Sequence, residues 1–155
     1  MHIVLGAAAD AVRERADLSA YGTVENPDWA RGMGTSLRAG LASLAGSGAR
    51  AAVVALVDQP GIGAQAVARV VAAYEGPLSL AAAAYEGRRG HPVLFGAGRW
   101  ADVAASARGD RGARAYLEEH AAAVRLVECG DVAQAYDIDT PGDLFRLDSS
   151  VRGGS

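Results

Sequence analysis

Short apolar runs alternate with stretches of helical spacing along this chain. Residues 2–6 (HIVLG) read as a strand running straight into a helix over AAADAVRERAD. Residues 22–25 (GTVE) predict a second, weaker strand, followed by the polar, glycine-marked loop NPDWARGMG. Thr35 or Ser36 is placed to cap the next helix, whose Leu37, Leu41 and Leu44 share a face, and the glycines at 46 and 48 stop it. Residues 51–57 (AAVVALV) give the clearest strand. Their run is continuously apolar, which predicts a parallel strand covered on both faces. It ends in Asp58-Gln59-Pro60, and a helix follows over about 63–74 with Val67, Val70 and Val71. Strands are expected at 78–84, at VLFG (93–96) and at 124–128. Helices are expected at 98–106 and at 111–120, the second with Ala113, Tyr116 and Leu117 inward. A bridge around 134–138 and a short helix from Pro141 complete the set, since a proline lacks only an orphan N–H in a first turn. This alternation predicts a three-layer α/β domain with a mostly parallel, doubly wound sheet over residues 1–148, and a flexible polar tail over 149–155.

Composition narrows the class. Half of the 155 residues are hydrophobic but only 6% are aromatic, so the core must be built from small side chains in close backbone contact. Fifteen cationic residues against 18 acidic ones give a formal charge of -3, which offers no global attraction to nucleic acid or an anionic membrane. One cysteine excludes an internal disulfide framework and a cysteine-based metal cluster. The apolar runs fall far short of a membrane span and the start turns charged too soon for a signal peptide, so a soluble, cytoplasmic protein is expected.

Candidate chemistry lies in four places. Asp58 follows the most buried-looking strand, where open α/β sheets place their ligand crevice; it could hold a divalent cation or simply start a turn and cap the next helix. Asp137 and Asp139, in YDIDTPGD, alternate on an extended segment and so share a face, which suits a cation as well as a helix start. Carboxylates in two distant segments suit Mg²⁺, whereas His2, His91 and His120 show no zinc spacing. Arg88 and Arg89, set before Gly90, His91 and Pro92, could close over phosphates or mark a solvated hairpin tip. The loop through Asn26, Trp29, Gly32 and Ser36 leads into a helix N-terminus, an anion-friendly position, although Trp29 also reads as a packing anchor. Cys129 reads as a structural thiol, and Arg111 and Arg114 as solvated charge. Neither a Walker-type phosphate loop nor a G-x-G-x-x-G fingerprint is present, and no lysine occurs, so arginine fills every cationic role.

Taken in order, NPDWARGMGTSL, VVALVDQP, RRGHPVLF, GDRGARAYL and YDIDTPGDL resemble the nucleotidyltransferases related to molybdenum cofactor cytidylyltransferase, over residues 1–147. The resemblance implies Mg²⁺-dependent transfer of a cytidylyl group from CTP to molybdopterin with release of pyrophosphate. It casts Asp58 and Asp139 as catalytic metal ligands with Asp137 as a further candidate. Asn26, Gly32 and Ser36 would line the substrate crevice, and Gly90, His91 and Pro92 would face the acceptor, with Arg88 and Arg89 assisting. Guanylyl transfer, or transfer to phospholactate or a sugar phosphate, fits the same pattern. One departure stands out: the family's first strand, its glycine-rich Arg-Met-Gly loop and its lysine have no counterpart here. The expected fold is therefore incomplete at its N-terminus, and the triphosphate lacks its cradle. The alternative expectation is an inactive paralogue or fragment that binds a cofactor or a partner chain.

Overall fold

The structure is a computed structural model that describes residues 1–144; the expected tail at 149–155 lies outside the described residues. The chain divides into two compact units, one made of Met1–Arg50 and Ala97–Ala122, the other of Ala51–Gly96 and the residues from Ala123 onward.

The first unit is built on a parallel pair, β1 (His2–Leu5) and β2 (Gly22–Glu25), joined through helix α1 (Ala9–Arg15). Helix α2 (Met33–Ala42) packs on β1 and on α4 (Trp100–Ser106), and α4 packs in turn on α5 (Arg114–Glu119). Leu5, Leu41, Val103, Ala107, Tyr116 and Leu117 are its buried apolar residues. The buried Tyr116 keeps its hydroxyl satisfied by accepting from Arg99 Nη1 at 2.9 Å, and its ring stacks on His120. The expected cap is corrected here: the N-cap of α2 is Gly32, three residues before Thr35, and the Thr35 hydroxyl donates to the Gly32 carbonyl at 2.8 Å rather than accepting from a helix N–H.

The second unit carries a four-stranded sheet in the order β3-β5-β4-β6, with β3 Ala51–Val54, β4 Leu80–Tyr85, β5 Arg88–Gly96 and β6 Arg125–Glu128. Strands β4 and β6 are parallel, while β5 runs antiparallel to both β3 and β4. The reading of residues 51–57 as one long parallel strand is corrected on two counts. The partner of β3 is antiparallel, and pairing stops at Val54 opposite Val93. The next residue of β5 is Pro92, which has no N–H to give. Beyond that point the apolar run leaves the sheet, and Val57 is 95% exposed.

Helix α3 (Ala64–Ala72) covers this sheet. Ala66, Val70 and Ala73 pack with Ala81 and Ala83 of β4, Leu94 of β5, Cys129 and Ala133. Four consecutive alanines of β4 are essentially inaccessible, so the low aromatic content becomes a core of short side chains and closely apposed backbone. Val71, by contrast, faces outward. Cys129 is fully buried and burial pushes its thiol pKa up, which keeps it an inert, protonated core residue.

The β4–β5 connection is a two-residue turn, Glu86-Gly87, with both residues at positive φ (54° and 76°), the geometry that matches strand twist. Further along the hairpin the register slips: Ala82 faces Val93 but Ala84 faces Arg89. Three residues of β5, Gly90, His91 and Pro92, therefore stand against Ala83 alone. A bulge of this kind bends the strand and re-aims its side chains, and its cause is again the missing N–H of Pro92. The His91–Pro92 peptide bond is cis.

Candidate active site

Two acidic segments are clasped together in the second unit. The chain leaving β3 passes through Asp58 and Gln59, and the segment after β6 returns to it. Ile138 N–H donates to the Asp58 carbonyl at 2.8 Å, and Gln134 N–H to the Gly61 carbonyl at 3.1 Å. The Gln59 amide adds a side-chain link, donating to Asp137 Oδ1 at 2.7 Å. Only glycine permits the crossing at position 61, because a Cβ there would lie 2.4 Å from the Gln134 carbonyl oxygen and 2.6 Å from the Tyr136 ring. The expected bridge around 134–138 is thus a set of backbone bonds rather than a strand.

The bulge delivers His91 to the same place. Burial lowers its pKa below the usual imidazole value; the negative charges of Asp58 and Asp137 oppose this, and Arg89 reinforces it. His91 is therefore neutral at pH 7 and feels both carboxylates. Behind it, the Tyr85 hydroxyl donates to the His91 carbonyl at 2.7 Å, and burial raises the Tyr85 pKa so that this proton stays in place. Gly90 makes room for the Tyr85 ring.

The backbone and Gln59 bonds thus hold the segments of Asp58 and Asp137 together, and the charges of Asp58, Asp137 and Arg89 act on His91. Asp139 is exposed, one residue past the Asp58–Ile138 bond. Arg88 and Arg89 are exposed residues of β5 just past the hairpin turn, paired with Tyr85 and Ala84. Pro92 is buried in the bulge.

Asn26, Gly32 and Ser36 form their own cluster in the first unit. Asn26 is buried, and its amide donates to Thr35 Oγ1 (2.8 Å) and Ser36 Oγ (2.9 Å) while its Oδ1 accepts from Asp28 N–H (3.0 Å). Both amide hydrogens are spent on shaping the loop. Gly32, at φ 103°, lets that loop cross residues 109–110; a Cβ would sit 2.4 Å from the Gly109 carbonyl carbon. Trp29 packs its Cβ over Gly6 while staying half exposed, consistent with an anchor.

Sequence reading missed Gln59 and Tyr85 as contributors. Gln59 was visible only as part of a turn, yet it ties Asp137 down and its Oε1 is a buried acceptor with no partner among the described residues.

Among the described residues, no group of three His, Cys, Asp or Glu side chains stands ready to enclose a metal. Mg²⁺ and Mn²⁺ need less than that, because they take one or two carboxylates and complete their shell with water and substrate phosphate. Carboxylate oxygens such as those of Asp58, Asp137 and Asp139 are the donor type these ions take, and the Ile138 and Gln59 bonds hold together the two segments that carry them.

Residues 1–124 match the MobA-like NTP transferase domain, and the chain belongs to that family. Its fold is the three-layer α/β fold of the solved structures it resembles. One of these is the homologue of Mycobacterium tuberculosis Rv0371c from Mycobacterium sp. strain JC1: 32% identical, TM-score 0.75, covering 97% of this chain and 74% of that one. Another is Rv0371c of M. tuberculosis H37Rv in complex with manganese: 27% identical, TM-score 0.76, covering 96% and 77%. A curated relative, nicotine blue oxidoreductase of Paenarthrobacter nicotinovorans, is 41% identical over 152 residues, 94% of this chain and 73% of the relative. No described helix is long and apolar enough to cross a membrane.

Proposed function

We propose that the chain serves divalent-metal-dependent nucleotidyl transfer, with CTP as donor and molybdopterin as acceptor. The observation that carries this reading is the clasp between Asp58 and residues 137–138, made by one backbone bond of 2.8 Å and one Gln59 bond of 2.7 Å. Family membership and a manganese-bound relative support it. Asp58 and Asp139, with Asp137 beside them, are the carboxylates that would hold the ion. When bound, Mg²⁺ or Mn²⁺ supplies positive charge to phosphate oxygens.

The chain's own groups do the rest. Gln59 orients the Asp137 carboxylate. His91, neutral and held from behind by Tyr85, offers a hydrogen bond to an acceptor, while Gly90 and Pro92 set the bulge that aims it. Arg88 and Arg89 present guanidinium forks suited to phosphate. Asn26, Gly32 and Ser36 act one step back, by fixing the path of the loop that would line the substrate crevice. An acceptor phosphate is already anionic, so no general base is required of the protein.

The test is release of pyrophosphate from CTP in the presence of molybdopterin and Mg²⁺ or Mn²⁺. The reading expects release by the native sequence and its loss in Asp58→Asn. GTP in place of CTP separates guanylyl from cytidylyl transfer. Absence of release, with molybdopterin still bound, would favour the binding-module alternative.

The 41% identity to nicotine blue oxidoreductase favours one second reading, a redox reaction on a related pigment. It requires a hydride source, and the chain has no G-x-G-x-x-G fingerprint for one. Oxidation of a reduced nicotinamide nucleotide by nicotine blue, followed by absorbance with the same protein, decides between the two.

A further inference from the structure

Three arginines converge on one groove in the first unit. A cavity of about 540 Å³ is lined by Arg31, Arg38 and Arg108, with Ala104, Ala105 and Gly109 among its walls. Arg38 is held in place by donating from Nη1 to the Ala107 carbonyl at 2.9 Å, which leaves the remaining N–H groups of its fork for another partner. Arg31 has only a loose, exposed ion pair with Asp28, at 3.8 Å. Arg108 is exposed and makes no side-chain hydrogen bond or ion pair among the described residues.

Several other arginines are engaged by carboxylates. Arg13 is paired with Asp10 and Glu25, Arg69 with Asp131, Arg111 and Arg114 with Glu118, and Arg125 with Glu75. In a protein of net charge -3 this groove is lined by three guanidiniums, and of these only Arg31 is in an ion pair among the described residues, the loose one with Asp28. Like charges brought together repel, and an anion between them turns that cost into attraction. Guanidinium forks match the oxygens of phosphate in particular. The volume lies within the range of small-molecule sites, and the alanine and glycine walls let a ligand approach the backbone.

We propose that this groove binds a small phosphate-bearing anion, of the pyrophosphate or phosphomonoester class, through Arg31, Arg38 and Arg108. The site uses neither Asp58 nor a divalent ion, so its failure leaves the nucleotidyl-transfer reading standing.

Isothermal titration calorimetry tests it, with inorganic pyrophosphate as the probe, low salt and a chelator present to remove divalent ions. One saturable site is expected, weakening as sodium chloride is added. The double variant Arg31→Gln/Arg108→Gln should weaken binding at least tenfold while leaving the melting curve unchanged, since neither side chain supports the fold. Arg38→Gln should weaken it too, with its melting curve recorded because Arg38 also holds the Ala107 carbonyl. Asp58→Asn and Arg88→Gln/Arg89→Gln should bind as the native chain does. Absence of binding would overturn the proposal. So would undiminished binding in Arg31→Gln/Arg108→Gln, or loss confined to the Arg88/Arg89 variant, which would place the anion on the hairpin.

Discussion

The two units spend their polar groups differently. In the first, the Asn26 amide donates to Thr35 and Ser36 and accepts from the Asp28 N–H, and the single Thr35 O–H is shared between the Gly32 and Asp28 carbonyls. That cluster is closed on itself, and its product is a fixed loop. In the second, the clasp closes the backbone but leaves capacity over: the Gln59 Oε1 has no partner among the described residues, and burial keeps His91 below the usual imidazole pKa against the charges of Asp58 and Asp137. Closed polar networks rigidify; open ones in a half-buried setting are where a ligand completes the bonding. On the proposed function, the Asn26 cluster supplies shape and the Asp58 clasp supplies chemistry.

Both places rest on a glycine, and substitution there sharpens the contrast. Gly32→Ala is expected to have the largest effect, about 3 kcal/mol in denaturant unfolding, because it adds positive-φ strain to a backbone clash. Gly61→Ala should cost less, about 2 kcal/mol, since its backbone is not in the left-handed region and the Tyr136 ring can yield, although the Gln134 carbonyl cannot. Gly61→Ala should also reduce the thermal stabilisation given by Mn²⁺, and Gly32→Ala should not. If both variants lost that stabilisation equally, the division between shape and chemistry would fail.

Asn26→Ala comes next. It strands the Asp28 N–H and the hydroxyls of Thr35 and Ser36, for about 1.5 kcal/mol of stability by chemical denaturation. The smallest effect is a matter of pH. Glu128 accepts N–H bonds from Gly130, Gly87 and Glu86, which hold its carboxyl below the ordinary value of 4.5. A carboxylate whose pKa is depressed by folding adds stability above its unfolded value, lost as pH falls through the folded one. Melting temperature should therefore fall more between pH 5 and about pH 3 in the native chain than in Glu128→Gln. Equal slopes would show that the Glu128 bonds at the hairpin tip contribute nothing.

Much of this was legible in the sequence. A buried-type run ending in Asp58 and an alternating Asp137-Ile138-Asp139 identify two acidic segments without any coordinates, and the Tyr116 and Leu117 positions come directly from helical spacing. What could not be read were features set by partners distant in sequence. Apolar character gives no sign that β3 ends at Val54, because the stop is imposed by Pro92 across the sheet. The same proline lies in the bulge that carries His91, so a segment with the composition of a hairpin tip is part of a long strand. Thr35 looks like a cap by residue type, but tertiary contacts with Asn26 and Gly32 turn its hydroxyl the other way.

The central claim is that the clasp is a divalent-metal site. Mn²⁺ binding to the full chain, followed by electron paramagnetic resonance in the native sequence and in Asp58→Asn, tests it most directly. The account predicts one bound Mn²⁺ in the native chain and at least tenfold weaker binding in the variant, with an unchanged melting temperature in metal-free buffer. Equal affinity in the two proteins would contradict it.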